Sequence, residues 1–295
     1  MARRIPTARL NNSQEIPVMG FGTGTVWYKP DPTVGFSQDA VEMVKAAIAA
    51  GYRHLDSAEL YYTEEELGVA IKECGVPRDE LFITTKVYQG VGNIPQALES
   101  SLKKLQVDHV DLYLLHDPYK TMAEGVTLED AWKDMETLQR ACKTKAIGVS
   151  SFLRPHLEKI LKVAEIKPAV NQIEFHPYYQ RTEDYVRWVQ QQGIAVQSFM
   201  GLAPITWGKG GPLDGVLSEI AARHGVPESA VLFRWTLNQD VISITTARTV
   251  SRFEDYLQAL DLQLSEEEME RISTVGRSHH LRVYLNEHFS SDDRS

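Results

Sequence analysis

The chain is poor in cysteine, in long apolar runs and in clustered basic charge, and each shortage narrows the field. Its two cysteines, Cys74 and Cys142, are far apart and in no Cys-x-x-Cys pair. A disulfide framework or thiol metal clip is therefore excluded, and both are expected to be reduced helix residues of a cytoplasmic protein. No apolar run approaches the roughly 20 residues needed to span a membrane, so no membrane partner is expected. The N-terminal stretch Met1–Leu10 carries charge but no apolar core of a signal peptide, so secretion is not expected. A net charge of −9 with no basic run argues against a nucleic-acid partner. A few local arginines can still bind a phosphate on an acidic protein. Linkers and low-complexity segments are missing too, so one domain over 1–295 is expected. Asn11-Asn12-Ser13 fits a glycosylation sequon but reads better as the tip of a polar hairpin.

What is present is an ordinary globular composition, 43% hydrophobic and 24% charged over 295 residues, enough for a large core. After the hairpin, apolar strand-like runs alternate with amphipathic helical stretches. The strands are expected at Met19–Thr23, Arg53–Ser57, Leu81–Lys86, Val110–His116, Ala146–Ser150, Ala169–Ile173, Ala195–Phe199 and Ile242–Thr245. Helices are expected at Asp39–Ala50, Glu64–Cys74, Pro95–Leu105, Leu128–Cys142 and Pro155–Ala164. Thr63 with Glu66, Ser251 with Glu254, and Ser265 with Glu268 have the spacing of capping boxes. This alternation implies parallel pairing with right-handed crossovers, in either a closed (β/α)8 TIM barrel or an open doubly wound sheet. The open sheet usually carries Gly-x-Gly-x-x-Gly in its first turn. Here Gly20-Phe21-Gly22-Thr23-Gly24-Thr25 fails at the last glycine, and Gly208-Lys209 lacks the upstream glycine of a Walker loop. Eight units in about 250 residues fit the barrel, whose active site gathers at the carboxyl ends of its strands.

Three consecutive strand-like runs end there in a group that can ionise or move a proton: Asp56, with Tyr61 five residues on, then Lys86, then His116. Taken singly, each has a bland reading: a cap or surface carboxylate, a packing tyrosine, a snorkelling lysine, a satisfied core histidine. Taken together they can make a phenol donate. A free tyrosine has a pKa of about 10, and a nearby ammonium favours its phenolate. Lys86 is expected to lower the Tyr61 pKa, Asp56 to hold Lys86 charged, and His116 to hold the substrate oxygen. Such a set serves reduction of a carbonyl, and since no side chain supplies hydride, a nicotinamide cofactor is implied. His54, Asp56, His116 and His176 also permit a metal-dependent barrel hydrolase, but the first strand lacks a His-x-His, and no metal is expected.

Gly51-Tyr52-Arg53-His54-Leu55-Asp56-Ser57-Ala58, followed after five residues by Glu64-Glu65-Glu66-Leu67-Gly68, resembles the first signature of the aldo-keto reductase superfamily. Phe82–Lys86, Leu112–His116, Ile147–Ser150 and Val170–Pro177 match in order, so the resemblance spans nearly the whole chain. It implies a (β/α)8 barrel with the hairpin at its N-terminus and the tail Gly276–Ser295 over the active-site face. It also implies a monomer that reduces small-molecule carbonyls with NADPH, with Tyr61 as general acid. A cofactor-sensing binding subunit of the same fold is a second possibility, because such subunits keep the tetrad.

The cofactor residues implied are Thr23, Asp56, Ser150, Ser151, Gln172, Phe199, Gly201, Leu202, Thr245, Thr246, Ala247, Arg248, Arg252 and Asp255. Ser150 and Gln172 match positions that hold the nicotinamide carboxamide. Ser151 stands where the family usually has asparagine, and Phe199 where it has a stacking tyrosine. Arg252 matches the arginine for the 2′-phosphate and Asp255 an adenine contact, but Thr246 replaces the usual lysine. Trp27, Tyr88 and Asp117, with His176 and Trp207, follow strand ends and are expected to line the substrate pocket. His279-His280 read as a flexible exposed pair. The Thr245-Thr246 pattern, Gly210–Asp214 and Val226–Trp235 resemble fungal reductases of α-keto amides, α-keto lactones and other conjugated ketones.

Overall fold

A computed structural model describes residues 4–182 and 184–295; the first three residues of the N-terminal stretch lie outside the described residues. Two short strands, β1 (Thr7–Arg9) and β2 (Glu15–Pro17), form the antiparallel hairpin, with Ser13 in the left-handed region at its tip. The next eight strands are β3 (Met19–Gly22), β4 (His54–Asp56), β5 (Phe82–Val87), β6 (Val110–Leu115), β7 (Thr144–Ser150), β8 (Val170–Glu174), β9 (Ala195–Phe199) and β10 (Val241–Thr245). They pair in parallel, each with the next, and β10 closes on β3. Closure decides between the two architectures the alternation allowed: the sheet is a barrel.

The helices are α1 (Gln38–Ala50), α2 (Glu64–Glu73), α3 (Ile94–Leu105), α4 (Pro118–Ala123), α5 (Leu128–Arg140), α6 (Arg154–Val163), α7 (Tyr185–Gln191), α8 (Leu213–His224), α9 (Glu228–Leu237), α10 (Ser251–Leu257) and α11 (Glu266–Arg277). Their apolar stripes pack on the outside of the barrel, where Trp132, Trp235 and Phe253 are fully buried. A separate apolar cluster fills the barrel itself. Leu10 and Ile16 of the hairpin join Phe82, Leu112, Leu114, Ala146, Val170 and Ile242 in it. The hairpin therefore stoppers the amino end of the barrel, and the polar chemistry is left to the carboxyl end.

One capping box forms as expected: Ser265 accepts from Glu268 N at 3.1 Å, and Glu268 accepts from Ser265 N at 2.9 Å. The other two do not. Thr63 precedes α2 but donates to Thr23 Oγ1 at 2.8 Å, and Glu66 turns to Lys29 and the Ser37 amide. Tertiary partners outbid the local motif there. α10 begins one residue earlier than its motif implied, with Val250 at the cap. α5 stops at Arg140, so Cys142 lies in a left-handed turn rather than in the helix; Cys74 directly follows α2, and both thiols are free.

His54 lies inside the barrel, fully buried, with Nε2 3.2 Å from Thr84 Oγ1 and its ring edge-on to Phe82. Burial lowers its pKa to about 4. The unfolded chain then binds a proton near pH 6.5 that the folded chain refuses. Stability is full above pH 6.5 and falls as pH drops towards 4, by on the order of 3 kcal/mol for this group. Urea denaturation at pH 7 and pH 4.5 measures the fall, which is expected to be shallower in His54→Gln.

Candidate active site

Asp56 ends β4, and pairing sets it beside Gly22 on one flank and Thr84 on the other. Lys86 lies two residues beyond Thr84 on β5, so the pleat keeps it on the same inward face. A 3-10 turn at Glu59–Tyr61 carries the tyrosine back over the rim. His116 follows β6 directly, its backbone N–H donating to Val87 O at 3.1 Å. The four side chains meet. Lys86 Nζ donates to Asp56 Oδ1 at 2.6 Å and to Ser57 O at 2.8 Å, all fully buried. The same ammonium lies 5.0 Å from the centre of the Tyr61 ring. Tyr61 Oη is 3.4 Å from His116 Nε2, and the two rings meet edge to face at 5.4 Å.

The electrostatics differ in one respect from expectation. Tyr61 is not made more acidic: burial first, and Asp56 second, push its pKa well above 10. Burial also pulls Lys86 below its ordinary value while Asp56 acts to keep it charged. Burial and Lys86 together hold His116 well below 6.5, so its imidazole is neutral near pH 7. The site thus holds one loaded O–H beside an uncharged imidazole.

Around this group, Gln172 Nε2 donates to Asp56 Oδ2 and to Gln197 Oε1, both at 2.8 Å. Ser150 ends β7 and Phe199 ends β9 on the same rim. Ser151 and Met200, just past those ends, have φ of 61° each, a strained backbone of the kind that collects at functional sites. Gly201 is buried and Leu202 half-buried beyond them. Thr245 and Thr246, at the end of β10, have buried hydroxyls with no partner among the described residues, and Ala247 is buried beside them. The exposed Arg252 and half-buried Asp255 lie on α10. Thr23 donates to Ser57 Oγ at 2.9 Å beneath Asp56. Arg248 is exposed, and its Nη2 donates to Val26 O at 2.9 Å.

The residues expected in the substrate pocket separate. Tyr88 lies edge-on to His116 at 5.5 Å and does face the group. Trp27 spends its indole N–H on Ala247 O at 3.0 Å, tying two rim loops together. Asp117 caps α4 through Tyr119 N at 2.6 Å, and Trp207 is 65% exposed. His176 is fully buried against Glu174 Oε1 at 3.1 Å and lines nothing open. Nor are His279 and His280 free: they pack edge-on against Tyr178 and Tyr179. Sequence reasoning missed Glu174. Its carboxylate accepts the tail amides of Val283 at 2.7 Å and Tyr284 at 3.0 Å, setting Tyr284 edge-on to Phe199 at 5.7 Å. A lone acidic residue ending an apolar strand was the signal available.

A closed eight-stranded barrel with Asp56, Tyr61, Lys86 and His116 converging at the carboxyl ends of its strands has the make-up of an oxidoreductase-like site. Residues 18–277 match the Aldo/keto reductase family, and the chain belongs to it. The NAD/NADP-dependent indole-3-acetaldehyde reductase of Schizosaccharomyces pombe is 38% identical, over 92% of this chain and 95% of that protein. The NADPH-dependent alpha-keto amide reductase of Saccharomyces cerevisiae is 37% identical, over 94% and 93%. Among solved structures, a Bombyx mori aldo-keto reductase in complex with NADP superposes with a TM-score of 0.84 at 29% identity, over 98% of this chain and 99% of that one. Membership leaves the hydrolase reading without support. Among the described residues, no helix is long and apolar enough to cross a membrane, and no three acidic, histidine or cysteine side chains are grouped to hold a metal ion.

Proposed function

We propose that the protein is an NADPH-dependent reductase of aldehydes and activated ketones, of the α-keto amide, α-keto lactone or diketone type, with Tyr61 as general acid. The observation that carries this is the Tyr61 hydroxyl, 3.4 Å from His116 Nε2 and beside the buried Lys86–Asp56 pair. The two unpartnered threonine hydroxyls after β10 and the exposed Arg252 beyond them fit the phosphate end of such a cofactor. Phe199 offers an aromatic face and Ser150 a hydroxyl for its nicotinamide end. When bound, reduced nicotinamide supplies the hydride.

The remaining chemistry falls to the chain's own residues. A neutral His116 is no acid at pH 7, so its role is to orient the carbonyl oxygen by hydrogen bonding. Tyr61 gives the proton to that oxygen as negative charge builds there, worth roughly 10² to 10⁴-fold. The Lys86 ammonium then steadies the phenolate left behind, against the adverse charge of Asp56. The Saccharomyces cerevisiae relative, named for an alpha-keto amide, supports the activated-ketone class, and the Schizosaccharomyces pombe one, named for an aldehyde, the aldehyde class. A single cytoplasmic domain acting as a monomer completes the reading.

Steady-state oxidation of NADPH and NADH with aldehydes, diketones, keto lactones and keto amides tests it. Turnover of the activated ketones with NADPH is expected; cofactor binding without turnover points instead to a sensing subunit. In the same assay Arg252→Ala is expected to raise KM for NADPH by about tenfold or more, since charge-assisted contacts to the 2′-phosphate are lost. KM for NADH should hardly move, and an equal rise for both would remove Arg252 from that contact.

A further inference from the structure

A buried ion pair outside the tetrad has no part in the chemistry above. Lys29 Nζ bonds Glu66 Oε1, with side chains only 9% and 0% exposed. Lys29 sits in the loop between β3 and α1, and Glu66 in the first turn of α2. The same Glu66 oxygen accepts the Ser37 amide at 2.8 Å, so one carboxylate holds both the middle and the end of the loop. Between those points Pro30–Phe36 are all exposed and give the loop little packing.

This loop lies against Tyr61 in three ways. The Lys29 backbone N–H donates to Tyr61 O at 3.2 Å. The Tyr28 ring lies edge-on to the Tyr61 ring at 6.4 Å. A Cβ placed on Gly24 would sit 3.0 Å from Tyr61 Cε2 and Cζ and 3.4 Å from Oη, so the bare backbone there is the wall the phenol rests on. Stability alone does not call for charges at such a place, because a buried pair can often be replaced by apolar side chains at no loss. What a directed pair adds is a fixed geometry, and the element it fixes bears on Tyr61.

We propose that Lys29 and Glu66 are a positioning pair for the reaction. They clamp the Gly24–Ser37 loop so that the Tyr61 hydroxyl is held at the carbonyl oxygen. The inference rests on the reading of Tyr61 as the acid, and its test separates the two. Lys29→Met/Glu66→Gln removes both charges while keeping an acceptor for Ser37. It is made in the natural chain and in Tyr61→Phe, and kcat, KM and NADPH affinity are measured with saturating ketone. In the natural chain kcat is expected to fall by about 10- to 100-fold, the scale of an ångström of misplacement. NADPH affinity should stay within about twofold, and in Tyr61→Phe the same change should cost nothing more. Equal losses in both backgrounds, or kcat within about twofold of the natural chain, would overturn the proposal. Should the pair variant not fold, Lys29→Met alone takes its place, with Glu66 still accepting from Ser37. It is expected to lower kcat several-fold only where Tyr61 is present, and an unchanged kcat overturns the proposal equally. Full kcat in Tyr61→Phe alone would instead sink the assignment of the acid.

Discussion

Tyr61→Phe is expected to lower kcat for ketone reduction by about 10² to 10⁴-fold while NADPH binds as before. The substitution removes one oxygen and little else. The ring keeps its edge contact with His116 and its place beneath the Lys86 ammonium. No backbone contact changes, since Lys29 bonds the Tyr61 carbonyl and not the hydroxyl. The fold should therefore survive, and the loss should appear in kcat rather than in cofactor affinity. His116 cannot take over, because burial and Lys86 keep it neutral near pH 7. Pre-steady-state kinetics with NADPH, beside a fluorescence titration of the cofactor, would read both quantities. A variant retaining its full rate would show that the proton comes from elsewhere.

Lys86→Met is expected to cut kcat by about 10²-fold or more and to weaken the fold as well. Lys86 is fully buried, and it gives Asp56 its cation at 2.6 Å. Without it, Asp56 keeps, among the described residues, only the Gln172 amide at 2.8 Å as a side-chain donor, and a stranded buried charge typically costs about 3–5 kcal/mol. The rate falls for a second reason. A phenolate formed at Tyr61 would face the carboxylate with no ammonium nearby, and removing one such stabilising donor costs roughly 10² to 10³-fold. The two effects separate in Lys86→Met/Asp56→Asn, where the stranded charge is gone. Stability should largely return there while kcat stays low. Urea midpoints and rates for both variants provide the check; a rate that returns with stability would make Lys86 a structural residue alone.

Much of the fold could be read in advance because its signals are local. Each of the eight barrel strands is a short apolar run flanked by turn residues, and each falls within two residues of its expected span at either end. The helices with strong apolar stripes behaved likewise. The tetrad was legible for a related reason. A barrel sends every strand's carboxyl end to one rim, so order along the chain fixes who meets whom.

Several of the expectations that failed involve partners distant in the chain. Thr63 and Glu66 have the spacing of a capping box, yet Thr23 and Lys29 claim them from another loop. His176 and the His279-His280 pair were read as open, yet His176 is buried against Glu174, and Tyr178 and Tyr179 pack edge-on against the pair. The sign of the Tyr61 shift was missed because a neighbour's charge can be named from sequence but the depth of burial cannot, and burial is the larger cause.

By itself the sequence determined the alternation of strands and helices and the four groups at one rim. Periodicity and turn chemistry act over a few residues and need no knowledge of the rest. Only the tertiary structure decided that the sheet closes, that Glu174 pins the tail beside Phe199, and that Lys29 reaches Glu66 under Tyr61. Those outcomes depend on how much water is excluded where distant segments meet, and desolvation is a property of the packed whole.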